Sequence, residues 1–195
     1  MRRLILQVQI SLDGYVADAQ GTTEPMSWNW GPDWVWDTAL QTYHTELIES
    51  SDLMLLSRRM GSEGFLDFWA DVAKKEADPR ARFARHITRA PKLVFSKRLQ
   101  TVKGENISLT HEDIEPAITR LKNAPGKNLL AWGGASFVAS LIAADLVDEY
   151  HLLSNPVAIG AGLRIFDKLD GPRSLRLLDV TPSSCGVVLS RFARR

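Results

Sequence analysis

Between Asn128 and Ile142 the chain reads Asn128-Leu129-Leu130-Ala131, then Trp132-Gly133-Gly134-Ala135-Ser136-Phe137, then Val138-Ala139-Ser140-Leu141-Ile142. A short apolar run, two glycines and a second apolar segment describe a strand that feeds through a tight turn into a helix, which points to folds built from strand–helix units. Two consecutive residues without a Cβ let the backbone approach a ligand closely, and a helix starting there presents unpaired N–H groups and a partial positive charge. An anionic group, most simply a phosphate, suits such a place. The same dipeptide serves equally well as a plain turn, so the rest of the chain has to decide between the two.

The 195 residues fit a single domain, 1–195, large enough for one substantial core. With 45% hydrophobic and 24% charged residues and a formal net charge of +1, nothing calls for a polyanion or a membrane surface, so neither nucleic acid nor membrane is an expected partner. The amino-terminal Leu4-Ile5-Leu6-Gln7-Val8-Gln9-Ile10 is too interrupted for a signal peptide, and no stretch approaches the roughly 18 to 20 apolar residues of a membrane span. The single cysteine, Cys185, excludes an intramolecular disulfide, and His44, His86, His111 and His151 lack the paired spacing of metal ligands. A cytoplasmic protein without a metal is the expectation.

Alternation over residues 4–10, ending at Asp13-Gly14, predicts a strand and a tight turn. Trp28, Trp30, Trp34 and Trp36 crowd a segment rich in turn formers, where aromatic rings either line a pocket or fill the core. Trp36, Leu40, Tyr43 and Leu47 recur at helical spacing, with Asp37, Gln41 and His44 on another face. Leu53-Met54-Leu55-Leu56 has the length and apolarity of a buried parallel strand, as does Lys92-Leu93-Val94-Phe95-Ser96. Phe83 and Ile87 mark a short helix, and Asp113 caps another that carries Ile114, Ala117, Ile118 and Leu121. Residues 147–153 alternate as a strand, in which Asp148 and Glu149 point to opposite faces and take structural roles. Residues 175–180 and 186–192 flank Pro182-Ser183-Ser184 and form a terminal hairpin.

This order implies an α/β sandwich with a mostly parallel sheet and an antiparallel C-terminal hairpin. Ligands of such sheets bind beyond the carboxyl ends of the strands, which selects Ser57-Arg58-Arg59, Ser96-Lys97-Arg98 and Gly133-Gly134-Ala135-Ser136. Arginine forks, a lysine point charge, short hydroxyl donors and a helix amino terminus together suit a ligand with separated phosphates. Singly, each of these cations is more readily read as a solvated surface charge, and only their joint placement favours a ligand.

Ser11-Leu12-Asp13-Gly14-Tyr15-Val16-Ala17, Asp52 with Leu55-Leu56-Ser57-Arg58-Arg59, Lys92 to Ser96, Trp132-Gly133-Gly134-Ala135, Leu146-Val147-Asp148-Glu149, and Pro156-Val157 with Ile159-Gly160-Ala161-Gly162 follow one another in order. In this the chain resembles the dihydrofolate reductase-like family that includes the reductase (RibD C-terminal) domain of bacterial riboflavin biosynthesis. The resemblance implies a three-layer dihydrofolate reductase-like sandwich and an NADPH-dependent reduction of a small heterocycle. It implies that Gly133 and Gly134, often joined in that family by a cis peptide, hold the cofactor pyrophosphate with Trp132, Ala135 and Ser136. Arg58 and Ser96, helped by Arg59 and Lys97, would lie by the adenosine phosphates, with Gln9 and Val16 beside the nicotinamide. Asp37 or a bound water is the candidate proton donor, Trp30, Trp34 and Tyr43 are candidate stacking surfaces, and a homodimer is expected. Where the family commonly has Gly-Arg-x-Thr-Tyr, this chain has Ser57-Arg58-Arg59-Met60-Gly61, which removes a hydroxyl donor. The alternatives are the riboflavin-pathway 5-amino-6-(5-phosphoribosylamino)uracil reductase and a non-catalytic nucleotide-binding protein.

Overall fold

Strands of parallel sheets are buried on both faces and tend to be apolar, which the central strands of this chain follow. A computed structural model describes residues 1–24, 26 and 36–195. Its strands are β1 (Leu4–Ser11), β2 (Ala17–Asp18), β3 (Ser51–Ser57), β4 (Lys92–Phe95), β5 (Ile107–Thr110), β6 (Asn128–Trp132), β7 (Glu149–Asn155), β8 (Gly162–Leu163), β9 (Leu175–Pro182) and β10 (Val188–Arg194). Its helices are α1 (Thr38–Glu49), α2 (Arg58–Ser62), α3 (Phe65–Ala73), α4 (Ala81–Arg89), α5 (Ile114–Asn123) and α6 (Ala135–Ala143). The chain divides into two compact units, one made of Met1–Leu4 and Thr42–Gly134, the other of Ile5–Gln41 and Ala135–Arg195.

In the first unit the strand order is β5-β4-β3-β6, and every pair is parallel. Met54, Leu55 and Leu56 of β3 and Leu129, Leu130 and Ala131 of β6 are all buried, as central parallel strands require. A ring cluster fills the core beside them: Trp69 meets Phe83 edge-on at 5.1 Å, and Trp132, Phe65 and His44 extend it. Helix α4 contributes Phe83, Ala84 and Ile87, matching the short helix expected there. Helices α2 and α3 and strand β5 are not among the elements the sequence reading identifies. Helix α2 starts because the Ser57 hydroxyl, at the N-cap, accepts a hydrogen bond from the Met60 N–H (3.4 Å), and Gly64, at φ 85°, separates it from α3.

In the second unit the order is β1-β7-β10-β9, with β1 parallel to β7 and both hairpin pairs antiparallel. The expected C-terminal hairpin is therefore present, and the α/β class with a mostly parallel strand set holds. The polar members of the β1 alternation, Gln7 and Gln9, are buried like their apolar neighbours, so alternation there does not mark a solvent face. On α1 the buried residues are Leu40, His44, Leu47 and Ile48 while Tyr43 is only half-buried, which moves His44 from the polar to the core face. Among the described residues no helix is long and apolar enough to cross a membrane, and no group of three or more His, Cys, Asp and Glu could hold a metal ion.

Lys92 opens β4 as a buried cation whose ammonium donates to the carbonyls of Ala90 (2.6 Å), Thr88 (2.8 Å) and Glu105 (3.3 Å). Burial pulls its pKa down to about 8, opposed in part by the Glu105 charge. A base whose folded pKa lies below its unfolded value is penalised while protonated, and the penalty lifts as pH rises through the folded value. Denaturant unfolding should therefore show the wild type gaining stability relative to Lys92→Met between about pH 8 and the unfolded lysine pKa of roughly 10.4. A flat difference over that window would refute the assignment.

Candidate functional site

Strand β3 pairs on one side with β4, Ser57 opposite Phe95, and on the other with β6, Leu56 opposite Trp132. Three parallel strands in this register end level, so Ser57-Arg58-Arg59, Ser96-Lys97 and Gly133-Gly134 emerge side by side in the first unit. Gly133 has φ 45° and Gly134 φ 79°, both in the region that favours glycine, and no peptide among the described residues is cis. A Cβ on Gly133 would lie 3.2 Å from Met60 Sδ, so the first turn of α2 rests against the glycine pair. Backbone conformation thus favours glycine at both positions, and at Gly133 the nearness of Met60 adds to it.

The cations at these ends already have partners. Glu63 pairs with Arg59 Nε at 2.8 Å and Arg58 Nη2 at 3.5 Å, and Lys97 donates to the His111 carbonyl at 2.5 Å and to Asp113 at 2.8 Å. Asp113 occupies the N-cap of α5 without a side-chain capping bond, its carboxylate pairing with Lys97. Ser96 Oγ accepts from the N–H groups of Arg98 and Leu99, both at 3.0 Å, and so shapes the turn after β4. Exposed ion pairs of this kind contribute about 0–1 kcal/mol, so a polyphosphate can displace Glu63 and Asp113 at small cost. Glu63 was not singled out from the sequence, and Asp113 was read there only as a helix cap. Glu63, four residues after Arg59, was visible as a helical pair, whereas Asp113 meets Lys97 only through the fold. The Trp132 indole is buried in the ring cluster, which leaves its backbone for a ligand.

In the second unit, Ala135 and Ser136 open α6, with Ser136 exposed. Val16 is half-buried, and its N–H donates to the Leu163 carbonyl at 2.8 Å. The turn after β1 is held by Asp13, which accepts from Ser11 Oγ (2.5 Å), Gly160 N (2.7 Å) and Ile159 N (3.1 Å). These hydrogen bonds, Ser11's foremost, hold its carboxyl down at about 2. Arg164 lies over the Tyr15 ring at 4.4 Å and donates to its hydroxyl, and a Cβ on Gly162 would stand 2.1 Å from the Ala17 carbonyl. The segments Asp13-Gly14-Tyr15 and Ile159-Gly160-Ala161-Gly162 are therefore two halves of one locked turn. Gln9 is buried and accepts from Asn155.

Asp37 does not have the surroundings of a proton donor. One carboxylate oxygen accepts from Leu40 N at 2.9 Å and caps α1, while the other accepts from Ser183 Oγ (2.7 Å), Ser184 N (2.8 Å) and Ser184 Oγ (2.9 Å). The Ser183 bond and then the Leu40 bond lead in holding the carboxyl well below the usual range, which fixes it as an anionic anchor between α1 and the β9–β10 turn. Tyr43 is half-buried and edge-on to His44 at 5.1 Å, which makes it a packing residue more than an open stacking face. Trp30 and Trp34 lie outside the described residues.

The sequence profile of the RibD C-terminal domain matches residues 2–189. This chain belongs to the RibD C-terminal domain family. Among its relatives, the uncharacterized protein YyaP of Bacillus subtilis is 27% identical over 190 residues, covering 96% of this chain and 92% of YyaP. A candidate riboflavin biosynthesis protein from Shewanella sp. PV-4 has the same fold at TM-score 0.70 and 21% identity, covering 100% of this chain and 99% of the other. Dihydrofolate reductase from Enterococcus faecalis, solved with NADP(H), aligns at TM-score 0.58 and 10% identity, covering 99% and 96% of the two chains, so the fold is dihydrofolate reductase-like.

Removing the Asp37 anchor separates its two roles. Asp37→Ala should lower thermal stability by about 1–2 kcal/mol, the cost of a lost helix cap, and disturb Ser183 and Ser184 signals in NMR spectra. Unchanged melting would show that the cap and the hairpin bonds contribute nothing.

Proposed function

We propose that this RibD-type protein is an NADPH-dependent reductase that passes hydride to a small heterocycle of the pteridine or aminopyrimidine type. The observation that carries the reading is the level ending of β4, β3 and β6, with a left-handed glycine pair between basic turns. Arg58, Arg59, Ser96 and Lys97 would take the adenosine-side phosphates, releasing Glu63 and Asp113. The Trp132-Gly133-Gly134 backbone, continued by Ala135 and Ser136, would take the pyrophosphate. Gln9 and Val16 are assigned to the nicotinamide by family resemblance. Bound NADPH would supply the hydride, and the chain's own groups would orient the ring and screen charge. Family membership and the NADP(H) complex of the Enterococcus reductase support the cofactor.

Of the riboflavin-pathway substrates, the phosphoribosylaminouracil is kept as the alternative. A non-catalytic nucleotide-binding role is favoured by one observation: Met60 places a thioether against Gly133 where a hydroxyl donor commonly stands in the family. The reading also takes the protein as a cytoplasmic homodimer. Leu177 and Val180, about half exposed on the edge strand β9, support self-association through that edge.

Calorimetric titration with NADPH tests the reading: no binding at millimolar cofactor would overturn it, and binding without turnover over a heterocycle panel would favour the non-catalytic role. Met60→Thr should tighten NADPH binding about two- to tenfold, the contribution of one hydrogen bond. Light scattering should return twice the chain mass, and a monomeric mass would exclude the dimer.

A further inference from the structure

Gln9, near the end of β1, and Asn155, at the end of β7, are 6% and 1% exposed. The orientation of the Asn155 amide is dictated by its surroundings. Its nitrogen faces the carbonyls of Leu153 (3.2 Å) and Ile10 (3.3 Å), which can only accept, and shares its hydrogens with Gln9 Oε1 at 3.0 Å. That choice turns Asn155 Oδ1 away, and because Gln9 must present oxygen to the Asn155 nitrogen, Gln9 Nε2 is turned away as well. Both atoms are closed to solvent and have no hydrogen-bond partner among the described residues. A second amide–amide bond would satisfy both at once, yet it is not formed. An unmatched buried donor or acceptor is strongly disfavoured, and two apolar side chains of similar size would avoid the penalty.

We propose that Gln9 and Asn155 form a recognition pair for a cis-amide edge, a carbonyl oxygen beside an N–H. Gln9 Nε2 donates to the carbonyl and Asn155 Oδ1 accepts from the adjacent N–H. The position suits this role, since both residues stand at the carboxyl ends of neighbouring parallel strands, where ligands of such sheets bind. Away from water, the pair discriminates strongly against rings lacking either group. Two sources carry that edge: the primary carboxamide of a nicotinamide and the lactam of a pteridinone or pyrimidinone ring. Because the atoms are closed to solvent, binding is accompanied by a local opening. The inference rests on the reductase reading and assigns the pair as its specificity determinant.

The test titrates ¹⁵N-labelled wild type and Gln9→Met separately with reduced nicotinamide mononucleotide and with lumazine, following side-chain amide signals by NMR and affinity by calorimetry. The probe that engages the pair shifts the Gln9 amide signals in the wild type and binds Gln9→Met about five- to tenfold more weakly, while the other probe is unaffected, which identifies the source. For the nicotinamide source, the 3-acetylpyridine analogue, which lacks the N–H, binds the wild type correspondingly more weakly. Gln9 signals unmoved by both probes overturn the inference whether or not Gln9→Met folds, as does Gln9→Met that melts higher and binds both probes normally. NADPH binding to the wild type is measured in parallel: its absence sinks the reductase reading, and its presence with indifferent Gln9 signals sinks this inference alone.

Discussion

Hydrogen bonding of one strand along both its edges is the constraint on which each unit depends. In the first unit β3 is held between β4 and β6, and in the second β7 is held between β1 and β10. A strand so enclosed has no freedom of register, because a one-residue slip would exchange its two buried faces. The fixed register is what brings three turns level at the ends of β4, β3 and β6 and what sets Gln9 and Asn155 near one another on β1 and β7. Site geometry here is thus a by-product of sheet geometry.

Carboxylates do most of the fastening around that frame. Asp13 locks the turn after β1, Asp37 ties α1 to the hairpin, and Asp52 receives Arg2 and the Lys127 N–H. Each is matched by donors that favour the ionised form. Glu63 and Asp113 differ from these, since they face cations at exposed positions where water competes. The first group holds the chain in shape, while the second holds charges that an incoming anion can take over.

Elements with a long periodic signal were legible in the sequence: β1, α1, β3, α4, β4, α5, β6, α6, β7 and the terminal hairpin all lie where apolar spacing puts them. The family and its fold were legible too, because the motifs occur in order along nearly the whole chain. Helices α2 and α3 were not, since Ser57 and Gly64 control them through one hydroxyl and one backbone angle and not through periodicity. The three basic ends were legible as a group, but the burial of the Trp132 ring was not, because strand position alone does not tell which face meets the aromatic core. The Asp37 anchor was not legible for a related reason. Its partners Ser183 and Ser184 are separated from it by 146 and 147 residues, and no local pattern reports such a pairing.

That separation gives the Asp37 anchor a meaning in time as well as in space. A ribosome releases α1 long before it makes the hairpin turn, so the nascent helix begins with its local Leu40 bond alone. The distant half of the grip forms only once Ser183 and Ser184 have emerged and β9 and β10 have paired. The clasp therefore joins an early part of the polypeptide to one of its last, and a chain lacking the hairpin turn lacks the distant half of the grip.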